Sequence, residues 1–581
     1  MVEFHSLFEG ASRLALPTVV AIAGLVGTAA AGAQAPDAVY LHGKIMTMDA
    51  EQPTAQALAL RGERLVAVGT DAAISALAGP QTQRVDLKGR FVLPGFEDAH
   101  THQLAAGTGM LDLDLSNTRS LQELQQRIAA YAKTLPPGEW IIGSRWDHTL
   151  WPGQQFPTRQ DLDPYTGDHP AFLSRLDGHA AVANSLALGA AGVGRNTPTP
   201  SGGEIGKDAA GEPNGLLLEG AQELVRRQIP PMTMAQRRRA LTLSMQDALA
   251  HGVTSVQDYS DWNTFLTYEQ MEKEGALRFR VVEWLTFLEP LATLQAQRAH
   301  HDLKDPWLHT GMLKAFMDGS LGSRTAAMLE PYSDDPHNRG IPQYQQAVLN
   351  RMAIERARAG FQLGFHAIGD RAVEMALNAF QAVASAVPDP HNPQAALVRH
   401  PAVSGPRPRI EHLQVIAPRD IARVKQLGVI GSVQPSHLLD DDRWAEARLG
   451  RERARDSYLW QTFLQEGVVL AFGTDDPVEP VNPMLGIYSA VTRTSADGTI
   501  HYPPEKEAVT MEQALYAYTM GAAISEFAED NKGSLTPGKL ADFVVLSQDL
   551  RAIPAAELLG TRVEMTVVGG KTMYTAPGWE P

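Results

Sequence analysis

The chain of 581 residues contains no cysteine. No thiolate is therefore available as nucleophile, zinc ligand or cluster ligand, and no disulfide holds the fold. Basic clusters are also missing, and the formal net charge is −16. That balance argues against nucleic acid as a partner. No internal repeat or low-complexity tract interrupts the chain. Charged residues make up 20% of the sequence and hydrophobic residues 44%, the proportions of an ordinary globular protein. The length exceeds one simple domain and suits a large barrel with a satellite domain.

One apolar stretch stands apart. Arg13 precedes Leu14 to Ala30, which is broken by Pro17, Gly24 and Gly27, and small-x-small sites follow at Ala31-Gly32-Ala33 and Ala33-Gln34-Ala35. This pattern reads as a signal peptide over residues 1–33, cut after Ala33 because Pro36 would be a poor first residue after cleavage. The expected address is a bacterial periplasm or the exterior, with no stable membrane insertion once the signal is gone.

What the chain does have is a set of ligand-type side chains at the ends of apolar, β-branched runs. Phe91-Val92-Leu93-Pro94-Gly95-Phe96 leads into Glu97-Asp98-Ala99-His100-Thr101-His102. Residues two apart on an extended segment point the same way, so both imidazoles can reach one ion. Lys314 lies inside the apolar run Gly311–Phe316, where an unpaired ammonium is costly to bury. His366, His412 and Asp475 each end a further apolar run. Imidazole and carboxylate are donors that ions such as Zn²⁺ favour. Polar groups at the carboxyl ends of successive strands are the pattern of a (β/α)₈ barrel site.

The rest of the chain fits that rhythm. Val253–Asp258 and Phe279–Leu285 read as strands, and 344–359 and 371–386 carry helical spacing. Short β-like runs fill residues 36–92 and 533–581, which predicts one discontinuous β-sandwich built from both termini. The barrel then occupies 93–532. Between about 105 and 250 the alternation breaks, with Pro/Gly-rich stretches at 152–170 and 196–215, which predicts an inserted subdomain on the ligand face.

The segments Leu93–His102, Asp318–Ala326, His366–Ala372, Arg409–His412 and Gly473–Val478 resemble the amidohydrolase superfamily, and specifically its N-substituted formamide deformylase-like branch. Trp146–Pro152 and Asp177–Ala180 resemble that branch's own insertion. The resemblance implies that His100, His102 and Asp475 bind a buried divalent ion, zinc by donor type, and that His366 and His412 bind a second, more exposed one. It also implies that Lys314, carboxylated on its amine, bridges the pair. A buried lysine with a depressed pKa is a sensible site for CO₂ addition.

Two ions some ~3.5–4 Å apart can share a water, lower its pKa towards about 7 and polarise a carbonyl. Asp475 then serves as ligand and general base, while Asp476 is the better helix-cap candidate. Trp146, Asp147, Asp177 and His179 are candidates to contact substrate, as is His437 after a seventh strand, while Asp318 and Arg324 in the Gly-rich loop either orient a substrate or form an ion pair. The expected reaction is hydrolysis of an amide-type carbon–nitrogen bond in a small organic molecule, with no organic cofactor. Ester or lactone hydrolysis, mononuclear deamination and non-catalytic binding are the alternatives on the same fold, and self-association is left open.

Overall fold

A computed structural model describes residues 34–387, 406–495, 502 and 505–580. The expected signal peptide at 1–33 lies outside the described residues. Among the described residues no helix is long and apolar enough to cross a membrane.

The β-branched runs of the middle segment become eight parallel strands, laid side by side in chain order: β1 Phe96–Thr101, β2 Val253–Tyr259, β3 Arg280–Thr286, β4 Leu308–Phe316, β5 Leu363–Ala367, β6 Arg409–His412, β7 Ile430–Val433 and β8 Leu470–Phe472. Almost every residue in these strands is buried, as expected of a parallel sheet covered on both faces. Three backbone links join β1 to the segment after β8. Thr101 and Asp476 form a parallel bridge, Asp475 N–H donates to the His100 carbonyl at 2.7 Å, and His102 N–H donates to that of Asp476 at 2.8 Å. The eight strands are therefore a nearly closed barrel.

Close approach at this seam requires glycine. A Cβ on Gly473 would lie 2.6 Å from the His100 nitrogen and 2.8 Å from Asp98 Oδ1. The same Asp98 carboxylate accepts from the backbone N–H of Thr474 at 2.9 Å and its hydroxyl at 2.6 Å, pinning the strand ends together.

Two further sheets combine the termini. One has strand order 64–69, 57–61, 38–41, 83–86, and the other 571–575, 563–568, 543–546, 91–94, 44–46, 54–55. Phe543–Leu546 runs antiparallel to Phe91–Pro94, so the last part of the chain completes a sheet begun by the first. Tyr40, Leu58, Leu60, Val92, Phe543, Val545 and Val567 pack between the sheets. Arg280 on β3 reaches the C-terminal segment through a buried two-pronged pair with Asp542, at 2.6 and 2.9 Å.

Between β1 and β2 lies a six-stranded mixed sheet, order 203–207, 213–219, 180–183, 171–175, 141–146, 113–114. Its core holds Trp146, Leu162, Leu173 and Val182. The Pro/Gly-rich stretch at 152–170 nevertheless contains a helix, Arg159–Thr166, started by a capping box between Thr158 and Asp161. The helical spacing at 344–359 and 371–386 corresponds to helices Gln346–Arg358 and Asp370–Ala386.

Candidate metal centre

His100 closes β1, His102 follows it, Lys314 lies on β4, and His366 and His412 end β5 and β6. All of them converge on Asp475 after β8. The rings of His100 and His102 lie 5.4 Å apart, those of His100 and His412 5.1 Å, and those of His366 and His412 4.4 Å. His102 Nδ1 donates to the Tyr259 carbonyl at 3.0 Å, turning Nε2 toward Asp475 Oδ1, also at 3.0 Å. Backbone geometry helps to aim the last two groups: His412 and Asp475 both hold left-handed φ, at 73° and 60°. Non-glycine residues adopt that region at a cost and cluster where function requires it.

Lys314 is fully buried. Its Nζ sits 2.9 Å from His100 Nε2 and lies beside the rings of Phe316, Trp284 and Tyr259 at 5.0, 5.3 and 5.9 Å. Burial lowers its pKa to about 8, although the charges of Glu411 and Asp475 oppose the shift. Burial, with the Lys314 charge added, also holds the imidazoles of His100, His366 and His412 well below their ordinary range. They are neutral at pH 7, so a lone pair is available on each. Burial raises the Asp475 carboxyl, but the His102 imidazole facing it at 3.0 Å, with His437 and Lys314 nearby, outweighs that and keeps it below the usual carboxylate range.

At this centre two sets of donors lie close enough together to hold an ion: His100, His102 and Asp475, and His412, His437 and Asp475. Within them, His412 Nδ1 and His437 Nε2 are buried without a hydrogen-bond partner. Nitrogens are rarely left so, and a divalent cation would satisfy both. His366 is placed differently. Its Nε2 donates to the Gly319 carbonyl at 3.1 Å, which leaves the lone pair on Nδ1. His437 stacks on His412 at 5.7 Å and lies 3.8 Å from Asp475.

The other sequence candidates separate into two groups. Asp177 and His179 line the cleft above the centre. Asp177 accepts from Ser320 and Ser323 at 2.6 and 2.9 Å and pairs with Arg175, which also lines the cleft. His179 pairs with Glu219 at 3.0 Å.

The structure gives five of the candidates other surroundings. Trp146 is not at the cleft: it fills the core of the inserted sheet and donates its indole N–H to the Leu173 carbonyl at 2.8 Å. Arg324 turns instead to Asp334, at 3.0 Å. Asp147 and Asp318 act one step back. Asp147 pairs with Arg175 and Arg443 at 3.1 and 3.2 Å, and Asp318 accepts the backbone N–H groups of Ala327, Ile368 and Gly369 at 2.8, 3.1 and 2.8 Å. Asp476 caps no helix, since Asn482 caps Pro483–Thr492. Sequence reading passed over Glu411 as a site residue, and also Glu219, Arg175 and Glu479. Glu411 directly precedes a ligand candidate within Arg409-Ile410-Glu411-His412, which was the available signal; Arg175 and Glu479 also lie within four residues of Asp177 and Asp475, and only Glu219 is remote in sequence from every candidate.

Comparison with known proteins agrees with this geometry. The chain is 35% identical over 552 residues to Protein LONG AFTER FAR-RED 3 of Arabidopsis thaliana, covering 93% of this chain and 91% of that one. It is 27% identical over 567 residues to the N-substituted formamide deformylase of Arthrobacter pascens, covering 94% and 99%. The crystal structure of an uncharacterized metal-dependent hydrolase from Pyrococcus horikoshii superposes with a TM-score of 0.70 at 27% identity, over 89% of this chain and 99% of that one. Residues 83–574 match the amidohydrolase family. The chain belongs to that family and is a hydrolase of carbon–nitrogen bonds other than peptide bonds.

Proposed function

We propose that the chain hydrolyses an amide-type bond of a small organic molecule, of the N-acyl or N-formyl kind, using two divalent ions, zinc by donor chemistry. His100, His102 and Asp475 hold one ion, His366 and His412 the other, and Lys314, carboxylated on Nζ, lies between them. His437 stands beside the second group. The observation that carries this reading is the approach of two imidazoles to one carboxylate: His102 Nε2 lies 3.0 Å from Asp475 Oδ1 and His437 Nε2 3.8 Å from Oδ2.

Divalent ions at these donors supply an acidified water and polarise the substrate carbonyl. The Asp475 carboxyl lies below the usual carboxylate range, so it is ionised at neutral pH and can take the water's proton and deliver it to the departing nitrogen. His179 and Asp177, fixed by Glu219, Arg175 and the two serines, present polar atoms to the substrate from the inserted sheet. The low pKa of Lys314 leaves a fraction of neutral amine at pH 7, the form that attacks CO₂.

Elemental analysis combined with a panel of N-formyl, N-acyl and lactone compounds tests the reading. The expected result is about two ions per chain, amide turnover, and loss of both on chelation. Turnover of lactones alone would reassign the reaction, and unchanged metal content in the double variant His366→Ala, His412→Ala would reassign the ligands. The N-terminal reading remains a proposal too. Protein from the native host should begin after Ala33, and an intact Met1 in a cytosolic fraction would refute export.

A further inference from the structure

Five carboxylates line the cleft: Asp177, Asp440, Asp441, Asp475 and Glu479. Four of them are engaged. Asp177 is held by Arg175 and two serines, Asp440 by Arg443, Asp441 by Gln414 and by the Tyr458 hydroxyl, and Asp475 lies within the metal centre. Glu479 differs. It is only 7% exposed, yet among the described residues it has no hydrogen-bond or ion-pair partner. Arg443 and Arg145 act on it only through space, and Arg443 is already committed to Asp147 and Asp440.

A buried carboxylate without a partner is costly, and such a group is retained where something else supplies the partner. The cleft decides what that partner is. Around Glu479 itself no protein cation is free, since Arg175 is paired with Asp147 and Asp177 and His179 with Glu219, so an anionic group beside it would meet no counter-charge. A neutral alkyl group would leave the carboxylate unsatisfied. An ammonium supplies both the charge and the N–H donors.

We propose that Glu479 is the specificity residue of the cleft and that it receives a protonated amine carried by the substrate on an arm remote from the bond that is cleaved. This deepens, and rests on, the amide-hydrolase reading above. Burial pushes the Glu479 carboxyl up to about 8, a shift that a bound cation would reverse.

Three probes of one length test it on the metal-loaded protein: N-(4-aminobutyl)acetamide, N-pentylacetamide and 5-acetamidopentanoate, which end in an ammonium, a methyl and a carboxylate. The parent should favour the amine over the alkyl probe by about 10–100-fold in kcat/KM, as a charged hydrogen bond allows, and should reject the carboxylate. In Glu479→Gln the amine preference should fall to within about threefold of unity, through KM. A parent that accepts the carboxylate as well as the amine, or a preference that survives in Glu479→Gln, overturns the proposal. The first of those outcomes needs no variant to fold. Where no probe is turned over, calorimetric binding of the same three decides. Selective binding of the amine that is lost in Glu479→Gln upholds recognition while the amide-hydrolase reading fails. Equal binding, or none, sinks the role of Glu479.

Discussion

His100 Nδ1 lies 3.0 Å from Glu411 Oε2, and both side chains are fully buried. A carboxylate can only accept, so this bond places the proton on Nδ1 and turns the Nε2 lone pair toward Lys314 and Asp475. The other Glu411 oxygen is held by Arg409 of the same strand at 2.9 Å, and Arg409 in turn reaches the Ala99 carbonyl and Ser432. Partners of this kind fix a ligand's tautomer and ring orientation.

Glu411→Ala should therefore weaken metal binding by about 10–100-fold. Competition with a chelator of known affinity measures it. Metal affinity equal to the parent's would show that His100 is oriented by something else.

Asp475→Asn keeps the shape of the side chain and removes its basic oxygen. The kcat should fall by about 10²–10⁴-fold, the usual contribution of a general base. Activity within a few-fold of the parent, with the metals retained, would mean that the proton leaves by another route.

Asp542→Ala tests a structural joint. The Arg280 guanidinium is buried, also lies 4.6 Å from the Trp307 ring, and would be left without its counter-charge. Stranding a buried charge costs about 3–5 kcal/mol. Urea unfolding should show a loss of that order, and a loss below about 1 kcal/mol, the scale of an exposed pair, would show that water reaches the guanidinium.

The His179–Glu219 pair predicts a pH dependence of stability. Burial lowers the imidazole's pKa, but the charge and hydrogen bond of Glu219, with Asp177 and Asp318, outweigh it and raise it to about 9 from the ordinary 6.5. The folded value lies above the unfolded one, so the stabilisation is complete below about pH 6.5 and is lost as pH rises through about 9. In metal-free protein, His179→Gln should remove that part of the decline, an effect of about 1–3 kcal/mol. Parallel stability curves for variant and parent across this window would rule out a charged His179.

Much of the centre was legible because a strand imposes a simple rule. Apolar runs of β-branched residues must be buried, and a polar side chain at the end of such a run marks the mouth of the barrel. His100, His102, Lys314, His366, His412 and Asp475 were visible in that way, and so was the barrel rhythm around them. Trp146 was misread, and the two roles of Arg324 were left undivided, for one reason: a large or charged side chain near a motif looks the same in sequence whether it faces a cleft, a core or an ion-pair partner. Trp146 found apolar neighbours and a carbonyl, and Arg324 found Asp334.

The sequence by itself determined which residue types end the strands and in what order, since periodicity and burial act along a local segment. Only the tertiary structure decided which of them meet. Barrel closure at Gly473 brings residues near positions 100 and 475 into contact, and the same closure sets Glu411 behind His100. The left-handed turns at His412 and Asp475 aim two ligand candidates inward, and the loop after β8 leaves Glu479 facing the cleft without a partner. Those relations depend on distances between groups hundreds of residues apart, which hydrogen bonding, charge and close packing settle only once the chain has folded.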